Sequence, residues 1–227
     1  PALVTDTSCI RLADFDGDGD LDLFAGARWL PGKYGLTPKS YLLRNDGGNR
    51  YSDATNLLPG GYEVGMVCDA LWTDTDGDGR PDLVVCGEWA AVTVYRNTGS
   101  GFEKTELPQT AGMWNCIKAA DYDNDGDMDL IAGNLGWNSN LKATPAEPLG
   151  LWVKDFDGNG STDPVLTYYR QGKNYVFADK DLLVNQMPFL KKRYVEYGKY
   201  AESTFEDVFP ETLRRGAISR KAELLAS

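Results

Sequence analysis

The stretch Asp14-Phe15-Asp16-Gly17-Asp18-Gly19-Asp20-Leu21-Asp22 sets a pattern that returns three more times in the 227-residue chain. The copies are Asp74-Thr75-Asp76-Gly77-Asp78-Gly79-Arg80-Pro81-Asp82, Asp121-Tyr122-Asp123-Asn124-Asp125-Gly126-Asp127-Met128-Asp129 and Asp155-Phe156-Asp157-Gly158-Asn159-Gly160-Ser161-Thr162-Asp163. Each reads D-x-[DN]-x-[DN]-G-x-x-D, and together they hold 17 of the chain's 34 Asp and Glu residues. Carboxylates packed this densely repel one another unless a cation sits among them. Oxygen ligands at positions 1, 3, 5 and 9, with a backbone carbonyl at 7, suit a hard ion that accepts about six to eight oxygens. That is Ca²⁺ rather than Zn²⁺ or Mg²⁺. The glycine at position 6 permits the sharp turn around the ion.

The predicted ligands are Asp14, Asp16, Asp18 and Asp22 in loop one, and Asp74, Asp76, Asp78 and Asp82 in loop two. Loop three supplies Asp121, Asp123, Asp125 and Asp129, and loop four supplies Asp155, Asp157, Asn159 and Asp163. Asp20, Arg80, Asp127 and Ser161 contribute through their backbone carbonyls. Three to four Ca²⁺ ions are expected, with loop four the weakest because Asn159 and Ser161 lower its charge. A single copy could be an acidic Asp-Gly turn without an ion. Four copies at one spacing favour the metal reading.

These loops are not EF-hands. Position 12, where an EF-hand needs a bidentate Glu, is Ala25, Val85, Ala132 and Leu166. Short β-rich runs flank each loop, such as Ala70-Leu71-Trp72-Thr73 before loop two and Leu83-Val84-Val85-Cys86-Gly87 after it. The loop is therefore the turn of a β-hairpin. Downstream, Tyr41-Leu42-Leu43-Arg44-Asn45-Asp46-Gly47-Gly48-Asn49-Arg50-Tyr51 matches Val94-Tyr95-Arg96-Asn97-Thr98-Gly99-Ser100-Gly101-Phe102, each a strand, an Arg-Asn-x-Gly turn and a second strand. Hairpin plus hairpin makes four antiparallel strands per repeat. Uneven repeats of this kind fit an all-β fold of β-propeller blades. Residues 1–180 would form three to four blades, and 181–227 a small helical insertion or extension.

These motifs resemble the FG-GAP/VCBS repeats, the calcium-loop blades of integrin α-subunit propellers and of many secreted bacterial proteins, over about residues 8–180. Gly133-Asn134-Leu135-Gly136-Trp137-Asn138, the Asp155–Gly160 loop and the stretch from Asp181-Leu182-Leu183 to Tyr200-Ala201 look like the bacterial relatives of cartilage acidic protein, the ASPIC/UnbV-type group. That resemblance implies export, often as an outer-membrane lipoprotein, and further blades beyond the helical stretch. Propellers of this kind have about seven blades, so the chain reads as a partial propeller that continues into, or assembles with, more blades.

Composition narrows the chemistry. The chain has no His, which removes Ser-His-Asp and Cys-His nucleophiles and His-bearing zinc sites. A formal net charge of -11 argues against nucleic acid. No segment approaches the ~20 apolar residues of a membrane span. Four cysteines, Cys9, Cys68, Cys86 and Cys116, are either buried thiols or include one disulfide, for which Cys68–Cys86 is the simplest pairing.

In the non-repeating segment, Asp181 is expected to cap a first helix. Pro188 would open a second with Leu190, Tyr194, Tyr197 and Ala201 on one face, and Ser203 with Glu206 forms a capping box for a third. The basic run Lys191-Lys192-Arg193 marks either a docking surface or a solvated face. Trp29, Trp89 and Trp137 follow the glycines that end the post-loop strands, as packing residues or as sugar-stacking platforms. Asn134, Trp137, Asn138, Asn140 and Lys142 depart from the repeat and are candidates for contact with a polar ligand.

The expected function is a calcium-stabilised extracellular or cell-surface module for binding, adhesion or assembly, with other proteins or surface glycans as partners. A subunit of a bacterial outer-membrane complex is one form of it. The alternative is a lyase-like polysaccharide-acting propeller or a carbohydrate-binding module. No catalytic constellation stands out to support an enzyme.

Overall fold

A computed structural model describes residues 6–48, 50–136 and 139–225. Each metal-type loop closes an antiparallel hairpin: β1 (Asp6–Ala13) with β2 (Asp22–Trp29), β5 (Met66–Thr73) with β6 (Asp82–Ala90), β9 (Gly112–Ala120) with β10 (Asp129–Asn134), and β11 (Leu149–Lys154) with β12 (Asp163–Arg170). The register is the same in all four. The residue before position 1 pairs with position 9, as in Ala13↔Asp22, Thr73↔Asp82, Ala120↔Asp129 and Lys154↔Asp163.

The first two repeats complete four strands. β3 (Tyr41–Asn45) and β4 (Tyr51–Asp53) extend the first sheet in the order β1-β2-β3-β4, and β7 (Thr93–Asn97) and β8 (Phe102–Glu106) extend the second in the same way. The third repeat departs from the four-strand expectation, because among the described residues no strand lies between β10 and β11. Its hairpin instead joins the second sheet, where β9 pairs with the end of β6 at Glu88↔Met113 and Ala90↔Gly112. The third sheet, built on the fourth loop hairpin, runs β13-β12-β11-β14, with β13 Lys173–Val176 and β14 Ile218–Ala222. The segment after the helices thus returns to add its own strand to the blade.

Packing follows the alternation of each strand. Phe24 and Leu42 of the first sheet meet Val67, Leu83 and Tyr95 of the second. The other face of the second sheet, Leu71, Val84 and Val94, meets Trp114 and Ile117 of the third hairpin. β6 is buried on both faces, which its run Leu83-Val84-Val85-Cys86 foreshadows. Asp69 ties the innermost strands together: it pairs with Arg11 of β1 and accepts the Ile117 amide of β9 at 3.1 Å. The third sheet lays Leu149, Leu151 and Val153 against Met66 and Trp89. Its opposite face, with Val165 and Val176, is covered by the helical segment through Leu183, Leu190, Phe205 and Phe209.

The glycines expected to end the post-loop strands lie inside them, since β2 runs on to Trp29, β6 to Ala90 and β10 to Asn134, and they have a steric cause. A Cβ on Gly26 would lie 2.7 Å from the Cys9 sulfur, and one on Gly133 would lie 2.8 Å from that of Cys116. Each cysteine packs directly over its cross-strand glycine. All four cysteines are free. The pairing expected of Cys68 and Cys86 does not form, because Cys68 is the unpaired residue of a bulge between Val67 and Asp69, and Asp69 stands opposite Cys86.

The helical segment comprises α1 (Lys180–Gln186), a 3₁₀ turn (Pro188–Lys192), α2 (Tyr197–Glu202), α3 (Phe205–Val208) and α4 (Glu211–Arg214). Asp179 rather than Asp181 caps α1, accepting the Leu182 amide at 2.8 Å. The capping box falls one residue later than expected, on Thr204 and Asp207, which turns Phe205 and Val208 into the core. Ser203 instead ends α2, its hydroxyl donating to the Lys199 carbonyl. The apolar face projected from Leu190 to Ala201 is interrupted, since the 3₁₀ turn ends before α2 begins and Tyr197 is exposed.

Candidate metal centre

The loop geometry starts from backbone amides. In loop one, Asp14 Oδ1 accepts from the Gly17 and Asp18 amides at 2.8 and 3.1 Å, and Oδ2 accepts from Gly19 at 2.9 Å. Loop two repeats this at Asp74 with 2.8, 3.2 and 2.8 Å, and loop four at Asp155 with 2.7, 3.0 and 2.8 Å. These donors, Gly79 and Gly160 foremost, hold the Asp74 and Asp155 carboxyls below the usual carboxylate range. Position 5 then accepts the amide of position 7: Asp18 from Asp20, Asp78 from Arg80, Asp125 from Asp127 and Asn159 from Ser161, at 2.7 to 2.9 Å. Each loop is wound tightly on its own Asx bonds.

Four clusters of carboxylates converge, with one oxygen from each member within 4.8 Å of the others: Asp14, Asp16 and Asp18; Asp74, Asp76 and Asp82; Asp121, Asp123 and Asp129; Asp155, Asp157 and Asp163. All-oxygen, anionic donor sets of this kind can hold a hard metal ion. Of the three aspartates at position 5, only Asp18 of loop one enters a cluster. In loop two the Arg80 side chain pairs with Asp78, a contact that the carbonyl role assigned to Arg80 does not include.

Position 9 enters the clusters of loops two, three and four, while Asp22 stays outside that of loop one, and in every loop it has a second task. Its Oδ2 accepts the amide of position 2, namely Phe15, Thr75, Tyr122 and Phe156, at 2.9 Å in every loop. In the two complete blades its Oδ1 also accepts the Asn of the Arg-Asn-x-Gly turn, Asn45 at 2.8 Å and Asn97 at 2.7 Å. Asp22 and Asp82 are fully buried, and burial pushes the Asp22 carboxyl up. In loop four Gln186 of α1 reaches Asp163 Oδ1 at 3.3 Å. Loop three has only the Tyr122 amide among the described residues, and Asp129 is exposed. Loop three also places Asn124 at φ 62°, where the other loops use glycine.

Position 2 joins neighbouring units. Phe15 stacks on Trp72 at 6.2 Å and meets Phe102 at 5.8 Å, while the Asn97 side-chain amide donates to the Phe15 carbonyl at 2.7 Å. The turn asparagine therefore holds its own loop and the preceding one. Sequence reading took the Arg-Asn-x-Gly element as a turn and missed this role, although its place two strands after each loop was visible.

With the geometry in view, one comparison bears on the loops. Residues 74–132 match an FG-GAP-like repeat. The matched repeat runs from the first Asp of loop two through the second blade's outer strands to Ala132 in β10, so it spans loops two and three. No curated protein matches the chain. No helix among the described residues is long and apolar enough to cross a membrane.

The other candidates separate. Trp137 and Asn138, like Asn49, lie outside the described residues. Trp89 is buried, adopts φ 57° and donates to the Tyr34 hydroxyl at 2.9 Å, a packing role, whereas Trp29 is exposed. Asn134 is structural: its side chain bonds the Leu224 carbonyl at 2.9 Å and accepts the Leu135 amide at 2.7 Å. Asn140 and Lys142 are exposed.

Proposed function

We propose that the chain is part of a calcium-stabilised β-propeller that serves as an extracellular or cell-surface binding, adhesion or assembly module. The observation that carries this reading is the fourfold convergence of three carboxylates in one hairpin register. The FG-GAP-like repeat supports it, because such repeats are found mainly outside cells and often bind calcium. All twenty loop positions named above, through side chain or carbonyl, form the proposed ligand sets for three to four Ca²⁺ ions. Calcium loops of extracellular modules fill at about 10⁻⁴–10⁻³ M, well above cytosolic levels, which fits an exported protein.

In this reading residues 1–180 are the blade unit and 181–227 its C-terminal extension, stitched back by β14. Four divalent ions would offset eight of the negative charges behind the net -11. The partners are other proteins or surface glycans, with further blades from the same or another chain. Equilibrium dialysis against ⁴⁵Ca²⁺ tests the proposal: three to four ions should bind per chain at millimolar calcium and persist in excess Mg²⁺. Binding of one ion or none would remove its basis.

A further inference from the structure

The β12–β13 hairpin and α2 enclose a cleft of about 320 Å³ on the side of the third sheet. Its walls are aromatic. Tyr168 lies 6.4 Å from Tyr175 and meets Phe177 edge-on at 5.9 Å, and Tyr197 and Tyr200 come from α2. Phe177 is 49% exposed and presents open ring surface, whereas Tyr197, 62% exposed, has the Lys180 ammonium of the cleft wall 4.1 Å above its ring centroid.

Its polar groups divide into used and unused. The Tyr200 hydroxyl donates to the Ala178 carbonyl at 2.7 Å, and that of Tyr197 pairs with Asp181. The Tyr168 and Tyr175 hydroxyls and the Arg170 guanidinium have no partner among the described residues. Asp179 gives Oδ1 to the Leu182 amide and keeps Oδ2 free.

Flat rings with free phenols, one free guanidinium and one free carboxylate oxygen match a sugar ring that carries a carboxylate. The C–H faces of a pyranose pack on aromatic rings, its hydroxyls reach Asp179 and the phenols, and its carboxylate takes the Arg170 fork. An acidic peptide would use Arg170 as well, but it would gain little from β13, an edge strand of only four residues. We infer that this cleft binds uronic-acid units of an acidic polysaccharide. The inference rests on the reading of the chain as a binding module and names one ligand class for it.

Isothermal titration of the chain in 2 mM CaCl₂ with trigalacturonate tests it, with the methyl-esterified trimer and hexaglutamate as comparison probes. Trigalacturonate should bind. Arg170→Ala and esterification should each weaken binding about tenfold, the value of one charge-assisted bidentate contact. Phe177→Ala should weaken it about fivefold or more through lost stacking. Arg170 is exposed and unpaired, so Arg170→Ala should keep the parent's melting curve; Phe177 is half-buried against Tyr168, so its variant is titrated at a temperature where its own melting curve shows it folded. Four results would overturn the inference: no binding, equal binding of the ester, binding unaffected by Arg170→Ala, which would put the anion on the calcium loops, or equal Arg170-dependent binding of hexaglutamate. The calcium response of the melting curve is read on the same samples, so failure of the cleft and failure of the calcium module are told apart.

Discussion

Asp82 and Asp76 sit six residues apart in one loop and do different work. Asp82 is fully buried and satisfies the amides of Thr75 and Asn97 whether or not an ion is present. Asp76 is exposed, and besides the cluster it meets only local amides and a solvent-screened Arg96. Asp82→Ala leaves the Thr75 and Asn97 amides and the Thr75 hydroxyl without their acceptor, at about 1–3 kcal/mol for each buried donor, so it should cost about 3 kcal/mol or more even in EGTA. Asp76→Ala should change stability by less than about 0.5 kcal/mol in EGTA and lose stability only against the calcium-loaded parent. Urea unfolding of both variants with and without calcium measures this; equal losses in EGTA would contradict the division of roles.

At the scale of elements, the capping box of α3 is a separate test of how the helical segment is held. The Thr204 amide, and then its hydroxyl, hold the Asp207 carboxyl below the usual range. A depressed folded-state value means the contribution is fully present above the unfolded-state pKa and is lost as pH falls through the folded-state value. Thr204→Ala should therefore cost about 1 kcal/mol at pH 7, and the deficit should shrink in acid as Asp207 protonates. Urea midpoints at neutral and acid pH give the comparison, and a deficit that grows in acid would contradict it.

The two capping frames also show what sequence could and could not resolve. Ser203-x-x-Glu206 and Thr204-x-x-Asp207 are equally good signatures, and the choice is made by burial of Phe205, Val208 and Phe209 against the third sheet. The same holds for α1, where Asp179 and Asp181 both suit the N-terminal turn and only the extended backbone at Asp179 makes it the cap. The loop hairpins were fully legible, because every strand-forming run is pinned at one end by an invariant nine-residue pattern. The third repeat was not, since its hairpin reads like the others while no outer strands follow it among the described residues. Position 9 was legible as an acid but not as a buried anchor, because its partners Asn45 and Asn97 are distant in sequence.

Across the whole molecule, the first three hairpins are laid side by side through β1, β5 and β9, with Asp69 bridging Arg11 and Ile117 across all three. The ions would sit at one end of each hairpin, where position 2 wedges such as Phe15 lock one unit to the next. Calcium bound there would couple directly to the packing between units rather than to isolated turns. Each site filled about tenfold above its dissociation constant adds about 1.4 kcal/mol, so several sites together raise the melting temperature of a chain this long by about 10 °C.

Thermal melting followed by circular dichroism, in 2 mM CaCl₂ and again in excess EGTA with Mg²⁺ held constant, tests this most directly. The four-loop calcium account predicts a drop of about 10 °C on chelation that calcium restores and Mg²⁺ alone does not. Superimposable melting curves in the two buffers would contradict it.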